Sequence, residues 1–306
     1  MARTWPIAIA PARPEHLAGA ITAGGGEIAE VADAAGLVWT DPDDPSGLAK
    51  LLDAQPNLYW VQLPWAGIEP YVDVVRDHPE TMWTSGKGVY AEPVAEHALA
   101  LALAGRRCLD RFARARTWTD PRGRNLLGGA VTIVGGGGIS ESLLRLLGPF
   151  GCDVTVVRQT PRSMVGASRV VASENLDEAL QGADVVVLAL ALLPETRGLM
   201  DRRRLALLGP ESVLVNVARG AHVVTDDLVA ALDAGEVGSA GLDVTDPEPL
   251  PDGHPLWERS NVIVTPHTAN TPEMARPLLA ERVTENVRRF THGEPLIGTI
   301  DPAKGY

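Results

Sequence analysis

The sequence predicts an α/β protein of two open parallel-sheet domains with a cleft between them, and three features carry that expectation. Apolar, β-branched runs alternate with helix-forming segments along most of the chain, the pattern of successive βα units. The 306 residues exceed what one small core organises, at roughly 100 to 200 residues per domain. A run of four glycines, Gly135 to Gly138, breaks the alternation directly after one apolar run, where a strand hands over to a helix.

Taken in order, Pro6 to Ala10, Gly36 to Thr40, Leu58 to Leu63 and Thr81 to Thr84 read as the strands of a small first domain of flavodoxin-like type. From Val94 the chain is rich in strong helix formers and runs through Arg114 without a proline, which predicts one long helix joining the two halves. Ala130 to Val134, Val154 to Val157, Ala183 to Leu190, Ser212 to Val217, Ser239 to Val244 and Asn261 to Thr265 follow as six strands. These runs are apolar throughout instead of alternating, as strands covered by helices on both faces are, and they predict a Rossmann-like dinucleotide domain. Pro272 opens an amphipathic helix to about Phe290 that is expected to return to the first domain. The expected division is therefore 1–95 plus 275–306 for a substrate domain and 96–274 for the dinucleotide domain, with hinges near 95 and 275.

Composition narrows the functional classes. With 27 basic against 39 acidic residues and a net charge of −12, the surface is ill suited to a phosphate backbone, so nucleic acid is not an expected partner. Cys108 and Cys152 are the only cysteines and lack CxxC spacing, which argues against a disulfide framework and a zinc site; no metal is expected. The start from Met1 to Pro6 leads into only a short apolar stretch, and Ala98 to Ala104 is too short to span a bilayer. The expectation is a cytoplasmic protein without a membrane segment.

Gly135-Gly136-Gly137-Gly138-Ile139-Ser140 sits between the strand run Val131 to Val134 and a helix-like Glu141 to Leu147. In that context main-chain N–H groups and the helix dipole face a pyrophosphate, and Gly135, Gly137, Gly138 and Ile139 are the expected contacts. Ser140 replaces the third glycine of the fingerprint, at the position that sets helix–strand packing; a slight displacement is expected, not loss of binding. The fingerprint also wants an acid after the second strand, for the ribose 2′-hydroxyl. Here Val157 is followed by Arg158, with Arg162 four residues on. Arginines pair with a phosphate, which predicts NADP(H) as the preferred cofactor with NAD(H) possible; the alternative is that both arginines belong to a solvated turn.

Three residues each follow an apolar strand-like run: Arg219 after Val215 to Ala218, Glu248 in Asp243-Val244-Thr245-Asp246-Pro247-Glu248-Pro249, and His267 in Thr265-Pro266-His267. Successive strands of one parallel sheet would bring them to the same edge, where open α/β sheets bind ligands. Arginine matches a carboxylate bidentately and stays charged; imidazole titrates near neutrality, and a neighbouring carboxylate favours its protonated form. The set suits reduction of a 2-oxo acid, with Arg219 on the substrate and His267, paired with Glu248, as acid and base.

With these motifs, the VAEH run at Val94, Leu192-Leu193-Pro194-Glu195-Thr196 and Asp243 through Pro249, the chain resembles the D-2-hydroxyacid dehydrogenases, a family that includes glyoxylate/hydroxypyruvate reductases. The resemblance covers nearly the whole chain. It implies an NAD(P)-dependent oxidoreductase acting on small 2-oxo and 2-hydroxy acids, with Arg219 as the substrate-binding arginine, His267 as acid/base and Glu248 as its partner. It further implies that Ala218 and Asp243 lie against the cofactor, Asp243 at the nicotinamide carboxamide, and that Ala66 and Gly67 offer main-chain N–H groups to the substrate carboxylate. A homodimer built largely on the helix after Val94 also follows from the resemblance. The chain departs from the family at Ser140, at Arg158 and at Ala191, where a proline commonly precedes Leu192; Ala191 is expected to leave that loop less rigid.

Other conspicuous residues have plainer expectations. His97 is expected to make a packing or interdomain hydrogen bond, His222 to face solvent with an approach to the cofactor as the alternative, and Trp65 and Tyr90 to pack in the core or edge the substrate slot. Two further functions remain open on sequence grounds: a dinucleotide-responsive regulatory binding protein, and a relative that oxidises formate or phosphite.

Overall fold

The computed structural model describes residues 5–302 and divides the chain into two units, one taking the chain up to Tyr90 and from Thr271 onward, the other Ala91–Asn270. The outermost residues of the expected first domain, and with them the start of the stretch read for a leader, lie outside the described residues.

The first unit carries a five-stranded parallel sheet formed by β1 (Pro6–Ala10), β2 (Glu27–Ile28), β3 (Gly36–Trp39), β4 (Trp60–Gln62) and β5 (Met82–Thr84), in the order β2-β1-β3-β4-β5. β2 was not expected, because two residues at a sheet edge, one of them Glu27, leave no apolar run to detect. The last helix, Pro272–His292, buries Leu279, Val283, Val287 and Phe290 against Ile7, Leu17, Ile21 and Trp60, which is why the C-terminal segment belongs to this unit. A buried polar link fixes its register: the Asn286 amide donates to Gln62 Oε1 at 2.9 Å and accepts from the Ile297 N–H at 2.8 Å.

The second unit carries seven parallel strands: β6 (Ala130–Val134), β7 (Asp153–Val157), β8 (Arg169–Val171), β9 (Val185–Leu188), β10 (Gly209–Asn216), β11 (Val237–Leu242) and β12 (Val262–Val264). Their order is β12-β11-β10-β9-β6-β7-β8. Six were expected; the seventh, β8, is a three-residue edge strand that opens on Arg169 and pairs with β7. The chain runs outward from β6 through β7 to β8 and then restarts on the other side with β9, so the direction of winding reverses between β6 and β9. Both faces are buried, by separate apolar clusters that include Leu188, Leu214 and Leu242 on one side and Ile133, Val187 and Val215 on the other.

The helix after Tyr90 is shorter than expected. It spans Ala91–Arg106, stops at Cys108, whose φ of 53° is left-handed, and restarts as Leu109–Phe112. Two buried polar residues account for the break. Arg106 reaches Asp184 at 2.9 Å and the Glu211 carbonyl at 3.1 Å, and the turn lays Asp110 on β11, where its Oδ2 accepts from Ser239 Oγ at 3.1 Å. Burial pushes the Asp110 carboxyl above the usual carboxylate range. Among the described residues no helix is long and apolar enough to cross a membrane.

Candidate active site

Every residue expected to act in the second unit follows the carboxyl end of one of its strands. The glycine turn follows β6, Arg158 follows β7, Arg219 follows β10, Asp243 and Glu248 follow β11, and His267 follows β12. The turn lies beside the reversal of winding, the position at which open α/β sheets take ligands.

At the turn, Gly135 has φ 117°, and a Cβ there would stand 2.1 Å from the Ala189 carbonyl oxygen beyond β9, so only glycine fits. Gly137 is the N-cap of the helix Gly138–Leu147, and a Cβ added to it would meet nothing within 4 Å. Gly138 and Ile139 form the first helical turn, where main-chain N–H groups point out of the helix. Ser140 is completely buried, and its hydroxyl donates to the Gly135 carbonyl at 2.9 Å. The residue standing where the third glycine is usual thus ties the helix to the turn. Arg158 lies against the turn, its Cδ and Nε 2.9 and 3.0 Å from where a Cβ of Gly136 would be. Its Nε and Nη1 are buried and have no hydrogen-bond partner among the described residues. Arg162 is exposed in the loop that follows. Open space at Gly137, the uncapped helix start and orphaned guanidinium donors fit a dinucleotide pyrophosphate and an additional phosphate.

At the other end of the edge, the Arg219 turn is built from inside. Asn216, 1 % exposed, accepts from the Ala218 N–H at 3.0 Å and donates to the Arg219 carbonyl at 2.9 Å. Ala218 is buried, and its carbonyl accepts from Arg219 Nη1 at 2.7 Å. Gly220 packs so closely on the Thr245 main chain that a Cβ would be 1.8 Å from its carbonyl oxygen. The expectation that His222 faces solvent is wrong: it is fully buried. Its Nδ1 accepts from the Arg219 N–H at 3.2 Å, and its Nε2 lies 3.2 Å from the Ala191 carbonyl. Its Nδ1 also lies 3.0 Å from the Arg219 carbonyl, so the ring is tied to the Arg219 main chain at both polar groups. The Ala191 carbonyl also accepts from Thr196 Oγ1 at 3.0 Å, so this loop is held by side chains where a proline was missing.

His267 stands on a backbone that asks for an explanation, since its φ of 48° is left-handed. Asp243, 2 % exposed, supplies one. Its main-chain carbonyl accepts from the His267 N–H at 2.8 Å, while its carboxylate accepts from Thr268 N–H at 2.9 Å, Ala269 N–H at 3.1 Å and Thr265 Oγ1 at 2.6 Å. His97 completes the set, its Nε2 lying 3.0 Å from Thr265 Oγ1. Its expected structural hydrogen bond therefore supports the His267 loop. The side chain of His267 is half exposed, and its Nδ1 lies 2.7 Å from Glu248 Oε1, so Nδ1–H donates to the carboxylate and Nε2 is left for another partner. Of the three residues singled out in the sequence, the structure pairs His267 with Glu248 and puts Arg219 at the end of a strand of the same sheet; Asn216, Thr265 and the supporting contacts of Asp243 and His222 escaped sequence reasoning, because polar contacts across loops leave no periodic signal.

In the first unit, Ala66 is exposed in the loop after β4 and Gly67 is partly exposed. Tyr90 is buried, donates to the Pro64 carbonyl at 2.6 Å and packs on Trp65 with ring centroids 5.5 Å apart, so this pair braces that loop. Burial raises the Tyr90 phenol well above its ordinary value, with Arg282 opposing.

A glycine turn at the winding reversal, with a cation and a carboxylate-paired imidazole at the same strand ends, is the arrangement a nicotinamide-dinucleotide oxidoreductase needs. Residues 97–269 match the family described as D-isomer specific 2-hydroxyacid dehydrogenase, NAD binding domain. Glyoxylate/hydroxypyruvate reductase A of Yersinia enterocolitica is 29 % identical over 283 residues, 88 % of this chain and 87 % of that protein. Among solved structures, a D-isomer specific 2-hydroxyacid dehydrogenase from Xanthobacter autotrophicus Py2, in complex with NADPH, superposes with a TM-score of 0.86 at 30 % identity, covering 99 % of this chain and 100 % of that one. The NADPH-dependent glyoxylate/hydroxypyruvate reductase of Sinorhizobium meliloti, in complex with NADP, gives 0.77 at 26 % identity and covers the same shares. The chain belongs to the D-isomer specific 2-hydroxyacid dehydrogenase family, NAD(P)-dependent enzymes that move a hydride between the nicotinamide and a small 2-oxo or 2-hydroxy acid.

Proposed function

We propose that this enzyme reduces small 2-oxo acids of the glyoxylate and hydroxypyruvate kind to D-2-hydroxy acids, with NADPH preferred over NADH. The observation that carries the proposal is the 2.7 Å pairing of His267 Nδ1 with Glu248 on a loop that Asp243 holds in a left-handed turn. In this reading Arg219 grips the substrate carboxylate and polarises the carbonyl oxygen, helped by the main-chain N–H groups of Ala66 and Gly67. A bound reduced nicotinamide supplies the hydride that reaches C2. His267 Nε2 delivers the proton that the substrate oxygen takes up, and Glu248 holds the imidazole in the tautomer and charge state that make this possible. In the reverse direction neutral His267 accepts the hydroxyl proton. Gly135, Gly137, Gly138 and Ile139 line the pyrophosphate, Ala218 and Asp243 the nicotinamide side, and Arg158 with Arg162 the 2′-phosphate.

Orphaned donors on Arg158 and the absence of an acid at the end of β7 support the NADPH preference. The relatives named for glyoxylate and hydroxypyruvate support the substrate class. We also propose a cytoplasmic homodimer assembled around the helix Ala91–Arg106; both cysteines are free thiols, as a reducing compartment permits.

The test is a steady-state survey of glyoxylate, hydroxypyruvate, pyruvate and phenylpyruvate with NADPH and NADH, with formate and phosphite assayed in the oxidative direction. Turnover on the first two acids, faster with NADPH, is expected. Tight dinucleotide binding with no turnover on any of them overturns the proposal in favour of a regulatory binding protein. Light scattering at a single monomer mass removes the dimer.

A further inference from the structure

Glycine at 136 is not explained by backbone conformation. Gly135 beside it needs a positive φ, whereas Gly136 does not lie in that region, so no left-handed backbone calls for glycine there. Nor is it explained by the room that a phosphate needs, which the open surroundings of Gly137 provide. What occupies the place of its missing side chain is Arg158. A Cβ at 136 would come 2.9 Å from Arg158 Cδ, 3.0 Å from Nε and 3.1 Å from Cβ, all closer than such atoms normally approach. The arginine crosses the strand ends from β7 to the turn after β6 and fills the gap.

The Arg158 backbone is fixed at its start, with its N–H donating to the Val171 carbonyl of β8 at 3.0 Å. Its guanidinium holds two buried donors, Nε and Nη1, that have no partner among the described residues. Buried donors left in this state cost free energy, and in native proteins they mark a missing water, ion or ligand.

We propose that Gly136 is a specificity-determining residue. By carrying no side chain it seats Arg158 against the phosphate turn, where the guanidinium takes the 2′-phosphate of NADP(H), and any larger residue at 136 erodes the choice between NADP(H) and NAD(H). The inference rests on the NADPH reading above and adds the residue through which it works. Gly136 is a positioning residue here, and Arg158 is the group that touches the ligand.

The contact geometry makes the experiment selective. The atoms nearest the added Cβ belong mostly to the flexible part of one side chain, so Gly136→Ala shifts Arg158 while sparing the fold. Calorimetric titration of the whole protein with adenosine 2′,5′-bisphosphate and with adenosine 5′-monophosphate reads the 2′-phosphate without catalysis. Wild type is expected to prefer the bisphosphate about tenfold or more, as a charge-assisted pair gives. Gly136→Ala should cut that preference roughly three- to tenfold with the monophosphate unchanged, and Arg158→Ala should abolish it. Unfolding midpoints recorded beside each titration confirm that both variants fold. If wild type does not discriminate between the two nucleotides, the NADPH reading fails and this inference with it. If wild type discriminates and Gly136→Ala discriminates equally well, the NADPH reading stands and the role of Gly136 is refuted. A variant that loses both nucleotides in equal measure also refutes it, because the glycine would then serve the turn alone.

Discussion

Two arginines follow two strands of the same sheet, and the protein treats them in opposite ways. Arg219, after β10, stands on a turn fastened by Asn216, His222 and the close approach of Gly220 to Thr245, and its own Nη1 is bound to Ala218. Arg158, after β7, is held at its backbone and packed on a glycine, yet two of its donors are buried and unsatisfied. The first cation is fixed before any ligand arrives, as a group that must orient a reacting carbonyl should be. The second is placed without being satisfied, which suits a group whose task is to select a ligand by its charge. In the proposed function the contrast separates chemistry at one end of the sheet from recognition at the other, and substitutions can test whether that separation is real.

The largest effect is expected at the reacting end. His267→Asn keeps a side chain of similar reach but cannot deliver a proton, so kcat for glyoxylate reduction should fall about 10²- to 10⁴-fold with little change in cofactor affinity. A variant that retains full turnover would remove the acid/base assignment. Next comes His222→Phe, which fills the buried volume but removes the ring-nitrogen contacts to the Arg219 main chain and the Ala191 carbonyl. The turn should shift, lowering kcat/KM about 10- to 100-fold in a stopped-flow or steady-state assay, while the preference between NADPH and NADH stays as it was. Loss of that preference in His222→Phe would show that the two ends are coupled.

How far the sequence foretold this arrangement depends on the kind of feature. The strands were readable because a parallel strand covered on both faces is an uninterrupted apolar run, and Val131 to Val134 or Val185 to Leu188 could hardly be anything else. The placement of Arg219, Glu248 and His267 beyond strand ends was readable because each stands just past such a run. Edge strands were not: Glu27–Ile28 and Arg169–Val171 are short and open on a charged residue. The break at Cys108 is set by where Arg106 and Asp110 find partners far away in sequence. The burial of His222 and the grip of Asp243 on the His267 loop are equally non-local, and no spacing rule announces them.

A smaller effect distinguishes an arginine with a partner from one without. Arg203 and Arg204 both bind Asp177, and they hold its carboxyl down to about 2. Because the folded state lowers that value, the pair stabilises the protein above the usual carboxylate range and loses its contribution as pH falls from there through about 2. Asp177 is well exposed, so solvent screening keeps the effect modest. Asp177→Asn should lower the unfolding midpoint near neutrality by only about 1–2 °C, and the difference from wild type should vanish in the acid limb of a midpoint-against-pH curve.

The smallest effect is the most telling. Arg158→Ala removes a long side chain, and if Arg158 were an ordinary structural arginine the protein without ligand should melt earlier. Instead, the unsatisfied Nε and Nη1 carry a burial cost of about 1–3 kcal/mol each, which the substitution relieves, while lost packing of the aliphatic stem against Gly136 acts the other way. The two terms are of similar size, so the midpoint without cofactor should move by no more than about 2 °C in either direction. Saturating NADP⁺ should then raise the wild-type midpoint well beyond that of Arg158→Ala, since a ligand stabilises in proportion to the logarithm of its concentration over Kd. A large destabilisation of the free variant, with the same NADP⁺-induced rise as wild type, would make Arg158 a structural arginine that selects no ligand, and the contrast between the two ends of the sheet would be lost.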